Sequence, residues 1–489
     1  FTSIYIFNLR GNGRVSGDFC KKEGDVIFKA VSGSCGGSRV PVVIIFLVKN
    51  PAIQTERAQI YYHTIADYLD IKEKIKIISE FKTILNNSLN FKKLESDKYG
   101  DWFNKRTPVF ESFIPIYIKN NPDKLYKSFF SICVQGVCTT RDAWVYNFSQ
   151  KVLSSNIQKT IKYYQEELSH IILGNRQKPI CDDTKGSWSR ELLFKLLNRQ
   201  FITVNPNAYC ISNYRPFTKQ YNYYDSDLIN RKRIFNRLFP AANHGNLLIC
   251  VGLNEYFPCI SDSICDLHYN GYTHCFPLYY YENHNNSTEY VRKDVITDYI
   301  LEESIKRYGE DITKIDIFYY VYGYLHNPLY LLEFANELKK ELPRIQLVDN
   351  REEFFKYSNL GRALADLHLN YETVDPYNGV IVTGMDSNDL KIKNMKFTYK
   401  GRMDSITYNN KITISNIPLD AYEYKISGKS AIEWIMDRYK VSKHTKSGII
   451  NNPNDWCEEH NNPRYILDLL LSIINVSVKT VRLIKDTSF

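Results

Sequence analysis

Val42-Val43-Ile44-Ile45-Phe46-Leu47-Val48 is an unbroken apolar run between Pro41 and Lys49-Asn50-Pro51. It is far shorter than the roughly 18 residues that a membrane span needs. A short run apolar at every position, rather than at every second one, predicts a strand covered on both faces, as in the sheet of an α/β domain. Upstream, Ser3 to Leu9 places Ile4, Ile6 and Phe7 beside Tyr5 and reads as a second strand. The intervening Gly11 to Arg39 is a Gly- and Ser-rich loop. Its Gly11-Asn12-Gly13 with Gly17 lacks the full spacing of a dinucleotide-binding turn, and no helical pattern follows promptly, so a plain loop is expected.

Working outward, the periodicity predicts helices over Ile65 to Leu85, Ser149 to Leu173 with Ser149 as cap, Tyr290 to Tyr308, Asn327 to Leu342, Ala431 to Tyr439 and Pro463 to Ile474. Leu247 to Val251 and Lys411 to Ile414 read as short strands. The polar stretch Gly174 to Ser189 is the best boundary between an upstream part and a C-terminal domain. The fold class expected is mixed α/β and α+β. A chain beginning near Gly174 is then expected to be more soluble than the whole, because apolar strands at the front would lack a sheet to pair with.

The 489 residues suffice for two or three domains, and 44% hydrophobic with 24% charged residues describes packed cores rather than disorder. The net charge of +9 suits a polyanionic partner but is modest for this length. The 11 Cys are irregularly spaced, and with no secretory signal or membrane-length run they predict free thiols in a reducing cytoplasm and no membrane partner. The chain starts on Phe1, almost in mid-strand, which reads as a fragment or a truncated gene product.

Several groups invite a chemical reading. Asn327-Pro328-Leu329-Tyr330 resembles the Asn-Pro-Pro-Tyr motif of adenine methyltransferases, but Pro328 also suits the first turn of a helix. Cys259, Cys265, His268, His274 and Cys275 cluster without a Cys-x2-Cys pair, so buried thiols are favoured over zinc and no metal site is assigned. The segment Tyr214 to Pro240 carries Arg215, Lys219, Arg231, Lys232, Arg233 and Arg237, interleaved with Tyr214, Phe217, Tyr221, Tyr223, Tyr224, Phe235 and Phe239 and opposed by Asp225 and Asp227. Two readings stay open there: a DNA-contacting surface, or a solvated basic face over an aromatic core.

Arg141-Asp142-Ala143-Trp144-Val145-Tyr146-Asn147, Tyr214-Arg215-Pro216-Phe217-Thr218-Lys219-Gln220, Cys275 to Tyr280, Leu342 to Ile345, Gly361 to His368, Pro418 to Tyr424, Gly448-Ile449 to Trp456 and Pro463 to Leu467 together resemble the type ISP restriction-modification enzymes, in family order. Ile4 to Asn12 and Ser38 to Pro51 look like late strands of that family's methyltransferase domain, with Phe28 to Gly37 expanded.

That resemblance implies one long polypeptide joining a nuclease, a helicase-like ATPase, an adenine-N6 methyltransferase and a C-terminal target-recognition domain. It implies that residues 1–50 are the last strands of a Rossmann-like methyltransferase sheet, 51–189 a helical connector, and 190–489 the recognition domain. The partner would be double-stranded DNA. S-adenosylmethionine, ATP and Mg would belong to the full-length enzyme and none to this chain, which would be inactive alone with no catalytic residue of its own. The missing catalytic segments, or a separate catalytic chain served by a free-standing specificity subunit, would complete the enzyme. A non-functional gene remnant is the other alternative. In adenine methyltransferases an aromatic near the second strand can stack on a flipped base, a role open to Phe46 beside the plainer one of a core side chain.

Overall fold

The computed structural model describes residues 1–13, 17–28, 40–84, 86, 89–103, 105–119, 126–240, 244–253, 256–283, 289–385 and 389–487. Most of the loop expected to be expanded, 29–37, lies outside them. The chain forms two compact units. The first holds Phe1–Phe110 with Phe334–Lys340 and Ser427–Lys429, and the second holds Glu111–Glu333, Glu341–Ile426 and Ser430–Phe489.

In the first unit, β1 (Ser3–Asn8) is central. After α1 (Gly17–Glu23) come β2 (Val43–Val48), β3 (Gln59–Thr64), α2 (Ile71–Phe81) and β4 (Lys92–Leu94). The sheet order is β2-β1-β3-β4, with β1 antiparallel to β2 and parallel to β3. Phe7, Leu9, Ile65 and Leu89 form its core, joined by Ile44 and by Ile77, Ile78 and Phe81 of α2. Helix α2 starts later than the periodicity predicts, because Asp70 and Glu73 form a reciprocal capping box that fixes its first turn.

The strand that anchors the sequence reading is not covered on both faces. β2 lies at the sheet edge and leaves Ile45 55%, Leu47 53% and Phe46 41% exposed. An unbroken apolar run is therefore compatible with an open edge strand, and periodicity alone does not separate the two cases. The loop at Gly11 is followed by a helix after all, α1. Glu23 closes it: its backbone carbonyl accepts from the Gly11 amide and its carboxylate from the Asn12 amide, both at 3.1 Å.

The second unit begins with β5 (Ile114–Pro115) and β6 (Val134–Gln135), then α3 (Asp142–Val145), β7 (Tyr146–Asn147), α4 (Gln150–Ile172) and α5 (Arg190–Leu197). β8 (Tyr209–Arg215) and β9 (Thr218–Tyr223) form a hairpin, followed by β10 (Leu248–Leu253), β11 (Pro258–Ser261), β12 (Ile264–Cys265) and β13 (Tyr272–Pro277). Two four-stranded sheets result, ordered β11-β10-β13-β6 and β12-β8-β9-β7. The helices Lys314–Tyr324 and Arg351–Leu369 pack so closely that a Cβ on Gly323 would sit 2.1 Å from the Tyr357 carbonyl, and one on Gly361 would sit 1.9 Å from that of Tyr319. Only glycine permits such backbone contact.

Ser149 caps α4 as expected, its Oγ accepting from the Val152 amide at 3.0 Å. Leu153, Ile157 and Ile161 of α4 share a core with Leu192 and Leu196 of α5. The polar stretch 174–189 therefore connects two helices of one core, while the compact units divide at Phe110/Glu111. Two other elements differ from expectation. Tyr290–Asp294 is a strand paired with Tyr279–Asn283, and the helix begins only at Asp298, where the Thr297 hydroxyl caps it. The helix after Asn327 spans only Pro328–Glu333, with Asn327 Oδ1 accepting from the Leu329 amide at 2.8 Å. Asn327 is buried and its amide also donates to Tyr357, so it serves as a cap rather than as an open catalytic amide.

Candidate nucleic-acid interface

Pro216 and Phe217 turn the β8–β9 hairpin. Phe217 takes a left-handed φ of 54° and buries its ring against Tyr371. The turn sends its neighbours to opposite tasks. Arg215 Nη1 donates to Asp266 Oδ1 at 2.6 Å, Nη2 lies 3.5 Å from Asp142, and the guanidinium stacks 3.9 Å from the centre of the Tyr214 ring. Burial pushes the Asp266 carboxyl up to about 7, against the pull of Arg215. Lys219 binds Glu372 at 2.5 Å beside the Tyr371 ring.

The other cations of this segment are more open. Arg231 is exposed, and its backbone pairs with Cys138, three residues before Arg141. Lys232 leans on Tyr224, and Arg233, at a left-handed φ of 63°, donates to Gln135. Arg237 is exposed, 3.3 Å from Glu282. In the first unit, Phe46 faces its cross-strand neighbour Tyr5 and is part-exposed rather than a core side chain.

Between α3, the β8–β9 hairpin and a second hairpin, Ser442–Lys443 with Ile450–Asn451, lies a cleft of about 570 Å³. Three of the stretches singled out in the sequence meet there. Arg141 to Trp144 with Tyr146, Tyr214 with Gln220, and Ile449 with Asn451 all line it. Hydrogen bonds tie them: Asn147 Nδ2 donates to the Ile450 carbonyl at 3.1 Å, Asn451 Oδ1 accepts from the Phe148 amide at 2.9 Å, and Asn451 Nδ2 donates to Gln220 Oε1 at 3.2 Å. Such a side-chain network fixes the register of three chain segments that are far apart in sequence.

Lys443, His444 and Lys446 stand on the cleft's rim. The sequence reading missed them, although Lys440, Lys443, His444 and Lys446 fall within seven positions and form a basic run of their own. Arg141, at the head of the first of these stretches, is 4% exposed and lowered to about 10 by burial, with Glu191 opposing that effect.

Metal chemistry has a weaker footing. Among the described residues the Sγ atoms of Cys250, Cys265 and Cys275 lie within 4.8 Å of one another, with Cys250 3.8 Å from Cys265 and 3.7 Å from Cys275. His268 and His274 instead bond the Gly271 and Tyr272 carbonyls. Among the described residues no fourth ligand joins these three thiols, which sit in an apolar core, as a closed zinc site would need.

The fold is that of a specificity domain: residues 128–469 match the family described as the Type ISP C-terminal specificity domain. The chain belongs to that family. Among solved structures, it is similar to a nuclease-deletion mutant of the Type ISP restriction-modification enzyme LlaGI in complex with a DNA substrate mimic, at 36% identity and a TM-score of 0.86, covering 100% of this chain and 44% of that one. It is similar to the ATP-dependent Type ISP restriction-modification enzyme LlaBIII bound to DNA, at 30% identity and a TM-score of 0.87, covering 100% of this chain and 31% of that one. A DrdV–DNA complex matches at 25% identity and a TM-score of 0.81, over 99% of this chain and 48% of that one. The chain thus spans less than half the length of these relatives. No curated protein matches it.

Proposed function

We propose that the second unit recognises a specific sequence in double-stranded DNA for a type ISP restriction-modification system. The observation that carries this reading is the convergence of three family stretches on one cleft with a basic rim. The DNA in the solved LlaGI and LlaBIII complexes supports it. Arg231, whose backbone pairs with Cys138, and Lys232, Arg233 and Arg237 add cations that supply phosphate contacts. Arg215 and Lys219, each held by a carboxylate, keep the hairpin in place. In its test, purified chain is mixed with a random duplex pool. A recognition module enriches one motif over successive rounds, and a pool that stays random contradicts the reading.

The first unit is proposed as the last strands of a Rossmann-like adenine-N6 methyltransferase sheet, with Phe46 at its open edge as a base-stacking candidate. S-adenosylmethionine, ATP and Mg then serve other parts of the full enzyme. The loop at Gly11 does not fit a dinucleotide or phosphate, because Glu23 already takes the Gly11 and Asn12 amides. The chain alone transfers no methyl group, and labelled methyl transfer to plasmid DNA by the purified chain would contradict this. Among the described residues no helix is long and apolar enough to cross a membrane.

A further inference from the structure

We infer that the floor of the cleft is an anion site for a backbone phosphate of the bound duplex, with Arg141 as its buried cation and Lys443 as its rim partner. The inference rests on the DNA reading and adds the chemistry of the contact.

Arg141 is unlike its neighbour Arg215. Arg215 is buried against two carboxylates. Arg141 is equally enclosed, yet among the described residues no carboxylate lies within salt-bridge distance. Nη2 donates to Ser189 Oγ at 2.7 Å, while Nε and Nη1 find no acceptor among the described residues. A buried guanidinium with two unmatched donors is expensive to maintain, and a fold that keeps one has it prepared for an anion. The backbone reinforces the point. Thr140, the residue before, holds a left-handed φ of 58°, which a β-branched side chain rarely adopts and which tends to persist where function requires it.

The charge balance of the cleft points the same way. Asp142 lies near Arg215 and accepts from Tyr214 Oη at 3.2 Å, and Asp183 is 3.5 Å from Lys446. Both carboxylates lining the cleft thus have cationic neighbours. Lys443 is exposed on its hairpin, with no acidic partner within 4 Å among the described residues. Arg141 and Lys443 are the surplus cations. Arginine's fork matches phosphate oxygens through paired N–H donors, with the lysine as a point charge at the rim.

The test uses the whole chain with two probes, inorganic phosphate and duplex DNA, on wild type, Arg141→Met and Lys443→Ala. Wild type is expected to melt higher with added phosphate, and Arg141→Met to show no such shift. Without ligand, Arg141→Met is expected to melt higher than wild type, because an unmatched buried charge is gone; a purely structural arginine would give the opposite. Duplex affinity should fall about tenfold or more in Arg141→Met. Lys443→Ala, an exposed change that leaves the fold intact, should lower the log–log salt slope by about 0.9. An equal phosphate shift in wild type and Arg141→Met overturns the site, as does an unchanged salt slope in Lys443→Ala when wild type binds duplex. If wild type answers to phosphate through Arg141 but binds no duplex, the anion site stands and the DNA reading fails.

Discussion

Arg215 Nη1 donates to Asp266 Oδ1 at 2.6 Å, and the two side chains are only 11% and 2% exposed. An arginine that the sequence offers as a DNA contact is thus committed inside the protein. Without Arg215 the buried Asp266 carboxyl loses its cation and takes up a proton, so the cost is that of a lost charge-assisted hydrogen bond, about 1–3 kcal/mol. Arg215→Ala is expected to lose stability on that scale in urea unfolding. A loss below about 1 kcal/mol, together with relaxed preference at one base of the bound site, would restore it to the DNA surface.

The basic segment after the hairpin should act through phosphates. Replacing Arg231, Lys232 and Arg233 together with Ala is expected to weaken binding to all duplexes alike and to flatten the salt dependence. The slope should change by less than the roughly 0.9 per contact that three free cations would give, because Arg233 also holds Gln135 and Lys232 leans on Tyr224. Fluorescence anisotropy across a salt series reads this directly. Equal slopes for two equally folded proteins would remove the segment from the interface.

Acid should destabilise the second unit through two buried histidines. His326 donates through Nδ1 to the Tyr322 carbonyl at 2.8 Å, and burial lowers it to about 4. His368 lies between Tyr322 Oη and Thr480 Oγ1 and is lowered too, first by burial and then by His326. Both stay neutral when folded and take up a proton when unfolded below about 6.5. Their contribution is complete above that pH and is lost as pH falls, for His326 toward about 4 at about 1.4 kcal/mol per unit. Thermal melts between pH 7 and pH 5 should fall more steeply in wild type than in His326→Gln, because Asp266, raised to about 7 in the fold, gains stability over the same range in both proteins. Equal pH slopes in the two proteins would show that the His326 ring is not held neutral.

A chain beginning at Gly174 should be less stable than one beginning at Glu111, contrary to what composition alone suggests. The first lacks α4, and with it Leu153, Ile157, Ile161, Tyr164 and Leu168 of the core shared with α5. In the whole chain, Ile45→Lys on the exposed face of β2 should reduce aggregation, since a charge on an edge strand discourages pairing with another copy. Melting temperatures and light scattering decide both points. Equal stability of the two shortened chains would return the boundary to 174–189.

The sequence carried the type of most long elements but not their surroundings. Ser149 announced α4 because an N-cap is a local device, legible in a few residues. The edge position of β2 was not legible, since an apolar run looks alike whether one face or both are covered. Tyr290–Asp294 reads as helix from its sequence because nothing local records its pairing with Tyr279–Asn283. At the site, Arg141 and the Tyr214–Gln220 stretch could be found as signatures, but their meeting with Lys443 depends on a tertiary path of more than two hundred residues. Net charge pointed to the 231–237 cations. It could not show that Arg215 and Lys219 are bound to carboxylates far along the chain.

The most direct test is hydrogen–deuterium exchange of the whole chain with and without an enriched duplex. Protection of residues 139–147 and 440–451, greatest around Arg141 and Lys443, is predicted when the cleft grips DNA. Tight, sequence-specific binding that leaves both segments exchanging as in the free chain would contradict the cleft as the recognition site.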